Sequence, residues 1–176
     1  MAADPAELET LKRELAPVRG LSMSRLSPGL SAGLFNGGDF QQELARRIDP
    51  MIDFNFGFGS PDPALPGDYF SIRWTGWLKP PLAGKYVLRG SADDSFRLWL
   101  DGELVLNRWG GAGDEAKEVE LTDELHALRI EYNEYGATAA VRLIWQLRDL
   151  TGDYAVPAAA LYHDSAGIAA MVKSPR

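Results

Sequence analysis

The chain contains no cysteine, which excludes disulfide bonds, thiolate zinc sites and cysteine nucleophiles. Histidine is also scarce: His126 and His163 are the only two in 176 residues, and neither stands in a recognisable catalytic or metal-binding motif. No apolar run reaches the roughly 18 residues that span a bilayer, so we predict no membrane insertion. The amino terminus lacks the basic-then-apolar pattern of a secretory signal.

Positive charge is in deficit. Lysine and arginine number 18 against 25 aspartates and glutamates, giving a formal net charge of −7. A nucleic-acid partner is therefore not expected, because phosphate binding needs a basic face. Hydrophobic residues make up 45% of the chain and charged residues 24%, which is the composition of an ordinary globular domain.

Sequence motifs of catalysis are missing as well. The chain has no Gly-x-Ser-x-Gly elbow, no phosphate-binding loop and no His-Glu-x-x-His motif. The glycines near residues 54–59 lack the third glycine and the following helix of a dinucleotide fingerprint. We therefore predict that the chain is not an enzyme.

The first third of the chain is irregular in composition. Asp4, Pro5 and three leucines on one face predict a short helix over residues 4–16, and the Ser, Pro and Gly content of residues 20–33 predicts a linker. Residues 34–48 suggest an opening strand and a short helical turn. Residues 49–68 suggest a long ordered loop that is held in place by its aromatic side chains. The predicted division is an N-terminal helix and linker (1–28), a β domain (29–164) and a C-terminal tail (165–176).

From residue 69 onward the hydrophobic pattern has a period of two, which is typical of half-buried strands. Phe70, Ile72 and Trp74 fall on one face of the first such run. Asp101-Gly102 has the sequence of a two-residue hairpin turn. Short strands at this spacing, without helical runs between them, predict an all-β fold, an antiparallel β-sandwich or barrel. Further strands are expected within residues 85–90, 96–101, 103–106, 119–121, 128–132 and 141–147.

Two adjacent aspartates, Asp93 and Asp94, lie between two of these strands. Successive side chains of a strand point to opposite faces, so the pair can bind one ion only if the backbone bends or isomerises between them. If it does, the two carboxylates suit a hard cation such as calcium. The alternative is a charged turn. Other loops would have to supply the remaining ligands. Residues 133–137 and 107–111 are the candidates, and the alternative for both is an ordinary polar connection. Trp109 in the second loop is either an aromatic platform for a sugar or a ring packed on the end of the barrel.

The order of several short motifs resembles the protective-antigen domain family, the "PA fourteen" β-barrel module. The resemblance covers about residues 29–164. The motifs that carry it are DYFSIRWTG at 68–76, GKYVL at 84–88, SADD at 91–94, RLWLDG at 97–102, HALRIEY at 126–132, LIW at 143–145, VP at 156–157 and LYH at 161–163.

The resemblance implies a non-catalytic β module of the kind found in adhesins, toxins and cell-surface lectins. In the lectin branch, two aspartates joined by a cis peptide bind calcium, which in turn coordinates sugar hydroxyls, and Asp93 and Asp94 match that pair. The later loop of the family's site corresponds here to Asn133, Glu134 and Tyr135. Asn133 and Glu134 are then candidate calcium ligands, and Tyr135 joins Trp109 as a candidate sugar contact.

Two functional hypotheses follow. The first is a calcium-dependent carbohydrate-binding, lectin-like module of an adhesin type, within a larger secreted or cell-surface protein, with a glycan or polysaccharide as its partner. The secreted or surface location rests on the family resemblance. The second is an accessory module that contacts other domains or proteins and binds neither sugar nor calcium.

Overall fold

The computed structural model describes residues 23–147 and 152–165. Within them thirteen strands form, together with 3-10 turns at Met23–Arg25 and Ala158–Ala160. The strands are β1 (Leu26–Pro28), β2 (Leu30–Asn36), β3 (Gln42–Asp49), β4 (Asp53–Gly57), β5 (Phe70–Leu78), β6 (Gly84–Asp93), β7 (Ser95–Leu100), β8 (Glu103–Arg108), β9 (Gly113–Leu121), β10 (His126–Glu134), β11 (Ala139–Leu147), β12 (Tyr154–Ala155) and β13 (Leu161–Asp164).

These strands build two antiparallel sheets. The larger sheet has eight strands in the order β1-β13-β5-β10-β7-β8, with β2 paired to β5 and β3 paired to β2. The smaller sheet has five strands in the order β12-β11-β6-β9, with β4 paired to β11. The predicted all-β antiparallel fold is confirmed.

The core lies between the inner faces of the two sheets. Phe70, Ile72 and Trp74 of β5 are fully buried there, as the period of two predicted. From the smaller sheet, Tyr86 and Leu88 of β6 meet them in the same cluster. Burial of such side chains contributes about 1.5–3 kcal/mol each, so this inner layer is the main source of stability.

Two expectations for the first part of the chain need correction. Residues 34–48 do not contain a helical turn: β2 and β3 form a hairpin from Leu30 opposite Asp49 to Asn36 opposite Gln42. The linker predicted over residues 20–33 is replaced by strand from Leu26 onward, because β1 pairs with β13 and β2 with β5. Cross-strand pairing, which local composition does not reveal, decides both cases.

Other predictions fall outside the part of the chain that the structure describes. These are the helix over residues 4–16 and the C-terminal tail beyond Ser165. Within residues 23–147 and 152–165, no helix has the length and apolar character to cross a membrane.

The hairpin turn at Asp101-Gly102 is confirmed and also anchors His126. Both turn residues have positive φ, 50° and 84°, as a two-residue hairpin turn requires. Oδ1 of Asp101 accepts a hydrogen bond from the backbone N–H of Ala127 at 2.8 Å, and Oδ2 lies 2.7 Å from Nδ1 of His126. The bond to Asp101 raises the pKa of His126 above its ordinary value, against the opposing effect of burial.

This arrangement predicts a pH-dependent stability. A histidine whose folded-state pKa is raised stabilises the fold fully below its unfolded pKa of about 6.5, and the contribution is lost as pH rises through the folded pKa. We expect the free energy of unfolding to fall as the pH rises above about 6.5. Urea titrations over this range check it. Asp101→Asn should flatten the profile, and an equally steep profile in that variant would contradict the assignment.

Gly76 marks the closest backbone approach in β5. A Cβ atom at this position would lie 2.2 Å from the carbonyl oxygen of Tyr162 in β13 and 2.7 Å from a methyl group of Leu30. Gly76→Ala should therefore destabilise the domain by about 1–3 kcal/mol, the usual cost of overpacking. Chemical denaturation measures the change. Gly111→Ala is the matched control, because a Cβ there meets nothing within 4 Å, and it should leave stability nearly unchanged.

Candidate functional site

One end of the sandwich gathers the loops that contain the candidate residues. Ser95 lies opposite Asn133, Phe96 opposite Arg108, and Asn133 opposite Ser71 in the sheet register. The connections β6–β7, β8–β9, β10–β11 and β2–β3 therefore leave the sheets at the same end. Four segments that are distant in sequence meet there.

The aspartate pair occupies the β6–β7 connection. Asp93 ends β6, and Asp94 alone separates it from β7. The peptide bond between Asp93 and Asp94 is cis, as the family resemblance implied.

Both carboxylates are anchored to the β10–β11 loop. Oδ2 of Asp94 accepts a hydrogen bond from the backbone N–H of Tyr135 at 2.8 Å, and Oδ2 of Asp93 accepts one from Oγ1 of Thr138 at 2.7 Å. Among the described residues, Oδ1 of each aspartate has no hydrogen-bond partner. The loop thus fixes the orientation of the pair while one oxygen of each carboxylate stays available.

Glu134 lies beneath the pair and is fully buried. Its Oε1 accepts the N–H of Gly136 at 2.7 Å and its Oε2 accepts the hydroxyl of Tyr132 at 2.9 Å. The same hydroxyl also donates to the backbone carbonyl of Asp93. Burial, with the charges of Asp94 and Asp93 adding to it, raises the pKa of Glu134 to about 7. Burial and the neighbouring carboxylates likewise raise the pKa of Tyr132.

Asn133 points to the other face of β10, as the alternation of a strand requires. Its side-chain N–H donates to the carbonyl of Gly38 in the β2–β3 turn at 3.3 Å. Its Oδ1 is buried and has no hydrogen-bond partner. A buried acceptor without a donor costs on the order of 1–3 kcal/mol, which a donor or a cation within reach of this oxygen would offset.

Trp109 and Tyr135 have different surroundings. The guanidinium of Arg97 lies 3.9 Å from the ring centroid of Trp109, and the ring of Phe40 is 6.2 Å away. The loop that contains Trp109 is held by the N–H of Gly110, which donates to Oγ of Ser95 at 3.0 Å. Trp109 is thus packed and half-buried, whereas Tyr135 is 45% exposed next to Asp94.

Sequence reasoning missed two exposed aromatic residues, Phe58 and Tyr69. They are 82% and 65% exposed in the loop between β4 and β5. Phe70 pairs with Glu134, so Tyr69 and Tyr135 leave neighbouring strands side by side. The signal available in the sequence was an aromatic residue directly before a strand, but nothing in its pattern showed exposure.

The residues present could hold a hard cation only through a combination of carboxylate, amide and backbone oxygens. Among the described side chains, no three His, Asp or Glu groups converge to hold a metal by themselves. Asp93 and Asp94 place two carboxylates in the β6–β7 connection, and Asn133, opposite Ser95 in the sheet register, has an unpaired amide oxygen. Calcium accepts such combinations of carboxylate, amide and backbone oxygens. Both oxygens of Glu134 are occupied by protein donors, which leaves it as a support for the site.

Fold and site together define a class of protein: an antiparallel β-sandwich module with a cis-linked carboxylate pair at its loop end. The chain belongs to the PA14 domain family, whose sequence pattern matches residues 26–157. The resemblance seen in the sequence is therefore confirmed.

The chain is also similar to proteins of known name or structure. The chain is 31% identical over 137 residues to the anti-sigma-I factor RsgI3 of Acetivibrio thermocellus, covering 76% of this chain and 21% of that protein. A structure of an anti-sigma factor domain-containing protein from Clostridium clariflavum is 30% identical, with a TM-score of 0.73, over 77% of this chain and 47% of that one. The chain thus spans a fifth to a half of these relatives.

A more distant structure shares the fold. The Epithelial Adhesin 9 A domain of Candida glabrata, solved in complex with Galβ1-4GlcNAc, has a TM-score of 0.67 and 15% identity. The match covers 81% of this chain and 92% of that domain.

Proposed function

We propose that this chain is a non-catalytic carbohydrate-binding module that binds its glycan through calcium held by Asp93 and Asp94. The observation that carries the proposal is the adjacent carboxylate pair, in which each carboxylate is oriented by a hydrogen bond from the β10–β11 loop. One oxygen of each remains available for an ion. The unpaired Oδ1 of Asn133 adds a third oxygen of the right chemistry at the same end of the sandwich.

The protein groups have separable tasks in this proposal. Asp93 and Asp94 hold the ion, and the N–H of Tyr135 and the hydroxyl of Thr138 keep their carboxylates in place. When bound, calcium supplies the positive charge that attracts sugar hydroxyl groups. The exposed ring of Tyr135 beside Asp94 offers a flat apolar surface for one face of a sugar. Tyr69 extends that surface along the neighbouring strand end.

Further support comes from the relatives. The adhesin domain with the same fold was solved with a disaccharide, and adhesins act outside the cell, which favours a secreted or cell-surface location for this chain. The likeness to anti-sigma factors favours a second candidate, an accessory module of a larger protein that works through contacts with other domains. In the first candidate a glycan is the partner, and in the second it is a protein surface.

A glycan array probed with and without calcium separates the two candidates. We expect glycans to be retained in calcium and released by a chelator. Tyr135→Ala should weaken binding about fivefold, the value of one aromatic contact of about 1 kcal/mol. Tyr154→Ala, which removes an exposed tyrosine from β12 of the other sheet, is the matched control. No glycan retained in calcium, with a protein partner bound instead, would favour the accessory module.

A further inference from the structure

The outer face of the eight-stranded sheet contains a cluster of three arginines around one glutamate. Glu131 of β10 lies opposite Arg73 of β5 and Arg97 of β7 in the sheet register. Its Oε1 accepts from Arg73 at 2.9 Å and from Arg129 at 2.5 Å, and its Oε2 accepts from Arg97 at 2.6 Å. One carboxylate therefore serves three guanidinium groups.

The cluster is positively charged in an acidic chain. Burial would raise the pKa of Glu131, but the charges of Arg129, Arg97 and Arg73 outweigh it and hold the pKa below its usual range. Glu131 is therefore ionised, and its single negative charge is shared among three guanidinium groups. The chain as a whole has a net charge of −7. This is a confined basic surface where an anion is favoured over the rest of the molecule.

Aromatic rings hold two of the arginines in place. The guanidinium of Arg73 lies 4.6 Å from the ring centroid of Phe40, and that of Arg97 lies 3.9 Å from Trp109. Their side chains are 26% and 23% exposed, so solvent reaches both. Within the described part of the chain, the hydrogen bond to Glu131 is the only one that Arg97 makes, and its Nε is buried without a partner. That buried nitrogen is out of reach of a ligand, so the donor capacity that Glu131 leaves open to a ligand lies on the terminal nitrogens of Arg97.

We propose that Arg73 and Arg97 bind the carboxylate of an acidic saccharide. A guanidinium fork matches a carboxylate in geometry and charge. The half-buried rings of Phe40 and Trp109 beside the two guanidiniums add apolar surface for a sugar ring. Arg97 of β7 lies three residues after Asp94, about 10 Å of extended chain, so one oligosaccharide can reach both places. The arginine site needs no calcium and goes beyond the function proposed above.

Calorimetry on the full chain in the presence of EDTA tests the proposal independently of calcium. The probes are a glucuronate-containing trisaccharide, a galacturonate trisaccharide, the methyl ester of each, and sodium sulfate. At least one acidic trisaccharide should bind, its uncharged ester should bind at least tenfold more weakly, and raising NaCl from about 0.05 M to about 0.5 M should weaken binding. Arg97→Gln should lower the affinity at least tenfold.

Arg142→Gln is the matched control. It removes the same charge from β11 of the other sheet, where Arg142 pairs with Asp53 at 2.7 Å, and it should leave uronate binding unchanged. If Arg97→Gln does not fold, the guanidinium Nε–Hε signal of Arg97 in the NMR spectrum of the unaltered protein must shift on addition of the uronate. Equal affinity for acid and ester, an equal loss in Arg142→Gln, or no shift of that signal would overturn the proposal. So would a response to sulfate alone, or tighter binding of a glutamate-rich peptide than of either uronate.

Discussion

Asp94→Asn is expected to abolish the stabilisation that the proposed calcium ion would give to the folded chain. A ligand that binds only the folded state stabilises it by RT ln(1 + [L]/Kd), about 2.7 kcal/mol when calcium is present at 100 times its Kd. The substitution keeps the size of the side chain and an oxygen that can accept from the N–H of Tyr135, but it removes the negative charge. Since calcium affinity depends strongly on ligand charge, calcium should not raise the free energy of unfolding of the variant.

Thermal and urea unfolding with calcium and with EDTA measure this effect, and calorimetry gives the affinity directly. Asp93→Asn should behave in the same way, because it occupies the equivalent place in the pair and is held by Thr138. Asp68→Asn is the matched control: it removes one exposed negative charge from the same end of the sandwich. If Asp94→Asn keeps the full calcium response, the pair does not hold the ion and the accessory-module hypothesis gains.

The features that could be predicted from sequence are those set by local pattern. The alternation in β5, β6 and β7 gave the inward faces, because the period of two is a property of any half-buried strand. The Asp101-Gly102 turn followed from the two positive φ values that such a hairpin needs. By contrast, the helical turn expected within residues 34–48 was wrong, because pairing with β2 overrides local preference there.

In the candidate site, too, some features follow from local pattern and others depend on strand pairing. The sequence drew attention to Asp93 and Asp94, but it treated Asn133 and Glu134 as equivalent members of a loop. They are the last two residues of β10, paired with Ser71 and Phe70, and therefore point to opposite faces. Glu134 is directed inward to Tyr132, and Asn133 is directed outward to Gly38. Strand pairing at the ends of β5 and β10 decides this, and no local pattern shows it.

The burial of Glu131 was also beyond sequence reasoning. A run such as Leu128-Arg129-Ile130-Glu131-Tyr132 suggests one buried face and one solvent face. In the structure every residue of β10 is buried, because β10 lies between β5 and β7 and its outer face is covered. Arg73 and Arg97 cover this face, and their guanidinium groups stack on Phe40 and Trp109. Phe40 comes from the β2–β3 connection and Trp109 from the β8–β9 connection. Only tertiary packing brings these segments together.

Glu131→Gln is expected to destabilise the domain by about 3–5 kcal/mol, the usual cost of removing one partner from a buried ion pair. Glu131 is 1% exposed and Arg129 is 5% exposed, so the loss leaves a buried guanidinium without a counter-charge. Neutral glutamine keeps the shape and some hydrogen bonds, which separates the effect of charge from that of packing. Urea unfolding at neutral pH measures the change.

The double variant Glu131→Gln with Arg129→Met is the decisive comparison, because it removes the buried charge that Glu131 would have neutralised. Methionine can fill the space beside the ring of Trp99, over which the guanidinium of Arg129 now lies at 5.2 Å. The double variant should regain most of the stability lost in the single one, as buried pairs replaced by apolar residues often do. Glu118→Gln breaks an exposed pair with Lys85 at 3.6 Å and should cost less than about 1 kcal/mol. A similar cost for Glu131→Gln and Glu118→Gln would mean that the three arginines do not depend on Glu131 for their charge balance.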